Sequence, residues 1–355
     1  MHENPRRSLT IALQRSHARV VRMLTLTALF MSDAVAQPNQ NALQPAGAQA
    51  AHIARLWNLT LVVCGVVFAG VLLATLVALA RRRGDARTPP EPASADAPEQ
   101  RTRRFVIGAT GLSVVLLVGL VVADVMTDRA LSRLPVDDAV HIEVTGQQWW
   151  WQAAYAPDGG NAGFVTANEL HVPVGRPVIV SLKAGDVIHS FWVPNLHGKK
   201  DMLPGVDSTI EFRADHEGVY RGQCAEYCGA GHALMAMLVV AQPPDRYAAW
   251  LRQQSAPAVS ADDALAVRGR QVFLQSSCAG CHSVRGTSAQ GTLAPDLTHL
   301  MSRQTIASGV LANTQANLLA WIRDPQALKP GTTMPSVPLA ADDQRAVVAW
   351  LGTLQ

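Results

Sequence analysis

Cys224-Ala225-Glu226-Tyr227-Cys228-Gly229-Ala230-Gly231-His232-Ala233-Leu234-Met235 is the stretch on which the reading of this chain turns. Two thiols, an imidazole and a thioether fall within one short loop. Thiolate and thioether are soft ligands, and with imidazole they favour copper. A structural zinc site more often takes four Cys or His ligands and no Met. One loop does not easily enclose a metal alone, so a ligand from another strand is expected. His189, which follows Asp186-Val187-Ile188 at a strand end, is the best placed, with His197 and His216 as rivals. The competing explanation of the loop is a Cys224–Cys228 disulfide beside incidental His and Met.

Working upstream, residues 135–242 read as β structure. Val140, Ile142 and Val144 alternate with His141, Glu143 and Thr145, and Val178-Ile179-Val180 and Val187 to Val193 are further strands. Turns carrying Gly, Pro and Asp separate them, and short strands at this spacing predict a sandwich. The first helix beyond it is expected over Asp245 to Gln253. Residues 135–255 hold 13 Asp and Glu against 8 Lys and Arg, which suits a basic protein partner or a solvated surface. The formal net charge of the whole chain, +3, is too small to argue for nucleic acid.

Further upstream lie two long apolar runs. Trp57 to Ala80 carries no charge and would span roughly 36 Å as a helix; Phe105 to Met126, charged only at Asp124, would span roughly 33 Å. Both are long enough to cross a bilayer. Between them, residues 81–104 contain Arg81, Arg82, Arg83, Arg87, Arg101, Arg103 and Arg104, which by the positive-inside rule makes this loop cytoplasmic. Everything after Met126 then faces outward. At the N-terminus Arg6, Arg7, Arg15, Arg19 and Arg22 precede a short apolar stretch, Met23 to Met31, and Ala34-Val35-Ala36 offers a cleavable site. Residues 1–36 therefore read as an export signal and 37–134 as a two-helix membrane anchor. A cytoplasmic tail is the alternative for 1–36. Cys64, inside the first run, reads as a small hydrophobe.

Downstream of the copper loop, Ser255 to Ser260 is a Pro/Ala/Ser linker, and the chain then changes to helical patterning over Asp262 to Gln275, Leu318 to Arg323 and Asp342 to Leu354. Within this small α domain Cys278-Ala279-Gly280-Cys281-His282 is the C-x-x-C-H pattern of covalent haem c attachment. A thioredoxin-like redox pair would belong near a βαβ unit, for which there is no sign. A sixth iron ligand should lie downstream. Met334, in Lys329-Pro330-Gly331-Thr332-Thr333-Met334-Pro335, sits in a rigid loop suited to presenting a side chain, whereas Met301 falls at a helix end. His/Met ligation closes both axial positions and suits electron transfer.

The pattern Cys-x-Glu-x-Cys-Gly-x-x-His-x-x-Met with an upstream His resembles the dinuclear copper A centre of cytochrome c oxidase subunit II. The resemblance covers residues 37–242 and implies two membrane helices followed by an all-β cupredoxin domain over 135–254. It implies that Cys224 and Cys228 bridge two copper ions, with His189 and His232 as terminal ligands, Met235 as a weak ligand and the Glu226 carbonyl as another. The Glu226 side chain would also reach a magnesium ion shared with the catalytic subunit. Gln147-Gln148-Trp149-Trp150-Trp151 resembles the family's aromatic strip, which makes Trp149 the residue where an electron arrives; Trp151 reads as core. Residues 261–355 resemble a class I cytochrome c, in which Pro295 packs near the haem ligand. Together the modules resemble the caa-type haem-copper oxidases, whose subunit II carries its own cytochrome. That resemblance implies oxidase subunits I and III as partners, a cytochrome c or other donor, and a place in the bacterial cytoplasmic membrane with both cofactor domains outside. Oxygen reduction to water, coupled to proton translocation, would take place in subunit I.

The chain departs from the family in two places. Thr102 to Gly111 has no glutamate where many members carry one feeding a proton channel, and Leu203-Pro204-Gly205 is followed by Val206 where Arg is frequent. Rival functions are the copper-bearing subunit of a nitric oxide reductase, which would need a different catalytic partner, and a membrane-anchored copper-delivery protein, which would favour exposed Met- and His-rich sites. Nitrous oxide reductases carry a second copper-cluster domain that this chain lacks. A quinol oxidase subunit would lack the copper ligands.

Overall fold

Leu-, Ala- and Val-rich sequence with no proline between Pro45 and Pro89 forms α1, Ala48–Arg81, and a second apolar run, free of proline after Pro98, forms α2, Asp96–Leu131. The computed structural model describes residues 40–81, 96–132, 134–259 and 262–355; the export-signal reading of 1–36 lies outside them, as does the centre of the Arg-rich loop. By length and hydropathy both helices are able to cross a membrane. They pack side by side, and Phe68, Leu73, Phe105, Val115 and Leu117 on their outer faces are left uncovered by protein. Cys64 is exposed on α1 and not buried in a protein core.

Both helices outrun their apolar segments, which corrects the spans 57–80 and 105–126. Helix formers such as Ala, Gln and Arg continue the hydrogen-bond ladder past the hydropathy boundary. At the start of α1 the chain is also fixed by the β domain: Ala46 N donates to Asn195 O (2.7 Å), Ala50 N to Leu196 O (3.1 Å) and Asp215 N back to Ala46 O (2.8 Å). In α2, Pro98 falls in the first turn, where the missing N–H costs nothing. The helix therefore enters the region expected to be loop up to residue 104.

The β domain comprises β1 Val140–Gln147, β2 Trp150–Tyr155, β3 Phe164–Ala167, β4 Glu169–Pro173, β5 Val178–Ala184, β6 His189–Phe191, β7 Lys200–Met202, β8 Ser208–Phe212, β9 Gly218–Gln223 and β10 Ala236–Gln242. A five-stranded sheet runs in the order β3-β2-β1-β5-β8, a three-stranded sheet in the order β4-β10-β9, and β6 pairs with β7. The alternation read in β1 places Val140, Ile142 and Val144 inside. They meet Val178, Val180 and Leu182 of the parallel β5 and join Trp151 and Phe212 in the core. Helix α3, Pro244–Ser255, closes one side with Trp250, whose ring lies 5.2 Å from Tyr155 and 4.3 Å from His171, centroid to centroid.

The third unit holds α4 Ala264–Gln275, α5 Cys278–Cys281, the short pair β11 Thr305–Ile306 and β12 Leu311–Ala312, α6 Gln315–Arg323, α7 Pro325–Leu328 and α8 Ala341–Leu351. The Asp263 side chain caps α4 by accepting from Leu265 N and Ala266 N, both 3.0 Å. Helices α4 and α8 cross closely because Gly269 has no side chain: a Cβ there would overlap the main chain of Ala346. Phe273 and Trp350 fill the space beside this crossing, 4.9 Å apart.

This helical unit is seated on the sandwich. Gln304 N donates to Glu169 Oε2 (2.8 Å), Ser308 Oγ to Ala236 O (2.7 Å), and Arg285 to the Gln254 carbonyl at the end of α3.

Candidate metal centre and haem cavity

Strands β9 and β10 pair antiparallel with Gln223 opposite Ala236, so residues 224–235 are the connection between them. Cys224 N donates to Met235 O (3.0 Å) and closes the base of this loop. Ala225 N donates to Ser190 O (3.1 Å) and Gln223 N to Trp192 O (3.0 Å), which ties the loop to β6 and brings His189 beneath it. Cys224 and Cys228 are free thiols with sulfurs 3.7 Å apart, not a disulfide. From Cys224 Sγ, His189 Nδ1 lies at 3.9 Å and the Glu226 carbonyl at 3.2 Å. From Cys228 Sγ, His232 Nδ1 lies at 3.6 Å and Met235 Sδ at 3.8 Å. The donor atoms of His189, Cys224 and Cys228 fall within 4.8 Å of one another; among the described residues neither His197 nor His216 joins them.

Asp186 fixes His189. Its carboxylate accepts from His189 Nε2 at 2.8 Å, leaving Nδ1 toward the thiols, and it also accepts from Val187 N and Gln148 N, both 2.6 Å. The Cys228 thiol beside it holds the Cys224 thiol well below the usual thiol range, while the same contact and burial push Cys228 up. The Glu226 carboxylate points away from the cluster, to Lys199 Nζ at 3.3 Å.

Trp149 caps the loop. Its Nε1 donates to Cys228 O (3.0 Å), alongside Gln148 Nε2 (2.9 Å). Its ring lies against Gly231, where any Cβ would overlap it. Trp151 is wholly buried and serves the core, 6.1 Å from the His189 ring.

On the other side of Trp149 is a cavity of about 380 Å³ lined by Cys278, Cys281, His282, Pro295 and Met334. His282 Nδ1 lies 2.7 Å from Pro295 O, so Nε2 is the ring nitrogen left available, and burial pushes the imidazole toward its neutral form. Met301 does not line the cavity. The buried Arg303 guanidinium does: it donates to Asp296 O at 2.5 Å, but its Nε has no partner. Lys329 also lines it, its ammonium pushed down to about 7 by burial.

Residues 158–242 match the family described as cytochrome c oxidase subunit II, periplasmic domain, and residues 266–355 match the cytochrome c family. The chain is 39% identical to a cytochrome c oxidase subunit 2 of Alkalihalophilus pseudofirmus, over 94% of this chain and 96% of the relative. It is 30% identical to a cytochrome c oxidase subunit 2 of Bacillus subtilis, over 90% and 92%. The chain belongs to the cytochrome c oxidase subunit 2 family. A solved periplasmic domain of subunit II from Bradyrhizobium japonicum aligns at 31% identity over 34% of this chain and 96% of that one, with a TM-score of 0.31.

In this oxidase family the first domain implies copper A and the second implies haem. The residues present fit both. Thiolate, imidazole, thioether and carbonyl donors converge as a copper site requires. The apolar cavity places a C-x-x-C-H wall near Met334, and the open valence of Arg303 suits an anionic edge of the haem. Sequence reading missed Asp186, Gln148, Arg303 and Lys329 as site residues. An acid three positions before a ligand histidine was a usable signal for Asp186. Lys329 gave none, because a lysine beside Pro-Gly reads as a solvated turn.

Proposed function

We propose that this chain is the electron-accepting subunit of a respiratory cytochrome c oxidase in the bacterial cytoplasmic membrane, with the sandwich and cytochrome modules on its outer face. What carries the reading is Trp149, buried between a Cys/His/Met donor cluster and a cavity walled by C-x-x-C-H. The thiols of Cys278 and Cys281 would attach haem c, with His282 and Met334 as axial ligands. Cys224 and Cys228 would bridge two copper ions, His189 and His232 would each bind one, and Met235 and the Glu226 carbonyl would complete the set. Haem and copper bound there supply one-electron transfer at closed coordination spheres.

The chain's own residues set the conditions for that transfer. Asp186 fixes the His189 tautomer, the buried loop keeps water from the thiols, and the Trp149 ring fills the gap between the two sites. Helices α1 and α2 would pack against the catalytic subunit I, with subunit III beside it, and oxygen reduction and proton translocation would occur there. The Glu226 carboxylate, at the surface beside Lys199, would hold magnesium shared with subunit I. A cytochrome c would be the external donor.

The test is to purify the full-length chain from a haem-attaching, copper-supplied host and record metal content and optical spectrum. About two coppers with thiolate-to-copper bands and one low-spin haem c per chain are expected. Haem without copper would reduce the chain to a membrane-anchored cytochrome.

A further inference from the structure

Lys329 is 2% exposed, and among the described residues no carboxylate pairs with it. Its Nζ donates to the main-chain carbonyl of Trp149 at 2.6 Å and to that of Ala307 at 3.1 Å. Trp149 belongs to the sandwich and Ala307 to the cytochrome module, so one ammonium joins the two. A methionine or leucine would fill this space without the cost of desolvating an amine. What lysine adds is direction: two carbonyls are reached from one position in one register.

The position matters because of what is attached at each end. Trp149 Nε1 donates to the carbonyl of Cys228. On its other side, a Cβ at Gly331, two residues after Lys329, would sit 3.5 Å from the indole ring. Met334 is three residues further on. The segment between is stiffened by Gln326, which accepts from Gly331 N (3.0 Å) and donates to Thr332 O (2.6 Å) and Met334 O (3.2 Å). Thr332 N donates to Lys329 O (3.1 Å). A shift at Lys329 is therefore passed to Met334 as a nearly rigid displacement.

We infer that Lys329 is a positioning residue that seats the Met334-bearing loop on Trp149 and so sets the rate of internal electron transfer between the haem and copper sites. The inference rests on the electron-relay reading above. The module has further ties, at Gln304, Ser308 and Arg285, that do not involve Lys329. Losing the ammonium lets the loop lift from Trp149 without releasing the module.

The experiment uses the purified full-length chain and its Lys329→Met and Lys329→Gln variants. A flash-activated ruthenium photoreductant delivers an electron to the haem, and its passage to copper is followed optically at several solvent viscosities. Wild type should transfer at a rate independent of viscosity, because its loop is already seated. Lys329→Met should keep both absorption spectra but transfer about tenfold more slowly, the scale expected when the two hydrogen bonds of a buried amine are lost. Its rate should fall further as viscosity rises, which a static packing role would not produce. Lys329→Gln, which keeps an N–H donor, should lie between, and it decides the matter if the methionine variant does not accumulate. An unchanged rate in the variants, or a viscosity-dependent rate in wild type, overturns the inference. Absence of copper or haem bands in wild type would instead overturn the relay reading itself.

Discussion

Cys224 and Cys228 stand sulfur to sulfur at 3.7 Å in a buried loop, and two negative charges cannot both be held there without a metal. Cys224 is pushed far below its ordinary value and Cys228 is pushed up, so the metal-free pair keeps a single proton across neutral pH. Both sulfurs must be thiolates to bind copper. Copper loading of the metal-free chain should therefore release on the order of one proton from this pair, measurable with an indicator dye in weak buffer. Apparent copper affinity should weaken about tenfold for each unit of pH lowered between about pH 9 and 7. A pH-independent affinity would mean that the pair is already fully ionised. At this scale the sequence was legible wherever ligand chemistry is written in residue type. Cys224, Cys228, His232 and Met235 share one loop, and the structure gathers them with His189. Asp186, Arg303 and Lys329 were not legible as site residues, because their roles come from what the fold packs against them.

Elements were readable where burial is one-sided and obscure where it is not. β1 alternates because one face meets the core and the other is more open. β4 gave no such signal: all of Glu169–Pro173 is buried, including a Glu and a His. The two bond to each other through His171 Nε2 at 2.9 Å, with the cytochrome module supplying Gln304 N to the carboxylate, while His171 Nδ1 is left without a partner. The expected strand over Val187 to Val193 is shorter, His189–Phe191, because Asp186 takes the preceding backbone into a turn around the metal site. In the helical unit, the α4–α8 crossing depends on Gly269. Gly269→Ala would set a methyl against the main chain of Ala346, which cannot move aside as a flexible side chain does. We expect a loss of roughly 3 kcal/mol, the upper end for overpacking, read as a lower denaturation midpoint of the haem band while the copper band persists. A loss of both bands together would show that the two units unfold as one.

For the molecule as a whole, the linker Ser255 to Ser260 left open whether the cytochrome module docks or swings, since Pro, Ala and Ser composition permits either. Packing settles what composition does not: α3 continues through Ser255, and Gln304, Ser308, Arg285 and Lys329 fasten the module to the sandwich. Docking has a consequence for how electrons arrive. Trp149 is only 9% exposed, covered on one side by the loop around Lys329 and Gly331 and on the other by Gly231. On the proposed relay, a soluble donor would then be kept from laying its haem edge on Trp149, and the attached cytochrome would be the acceptor. Rapid mixing of the oxidised full-length chain with a reduced soluble cytochrome c should show the internal haem reduced first, with the copper band bleaching only afterwards. The lag should persist as donor concentration rises, because it reports a step inside the chain. Copper bleaching ahead of the haem would mean that the module lifts away from Trp149 in solution, and that the sandwich still meets its donor directly.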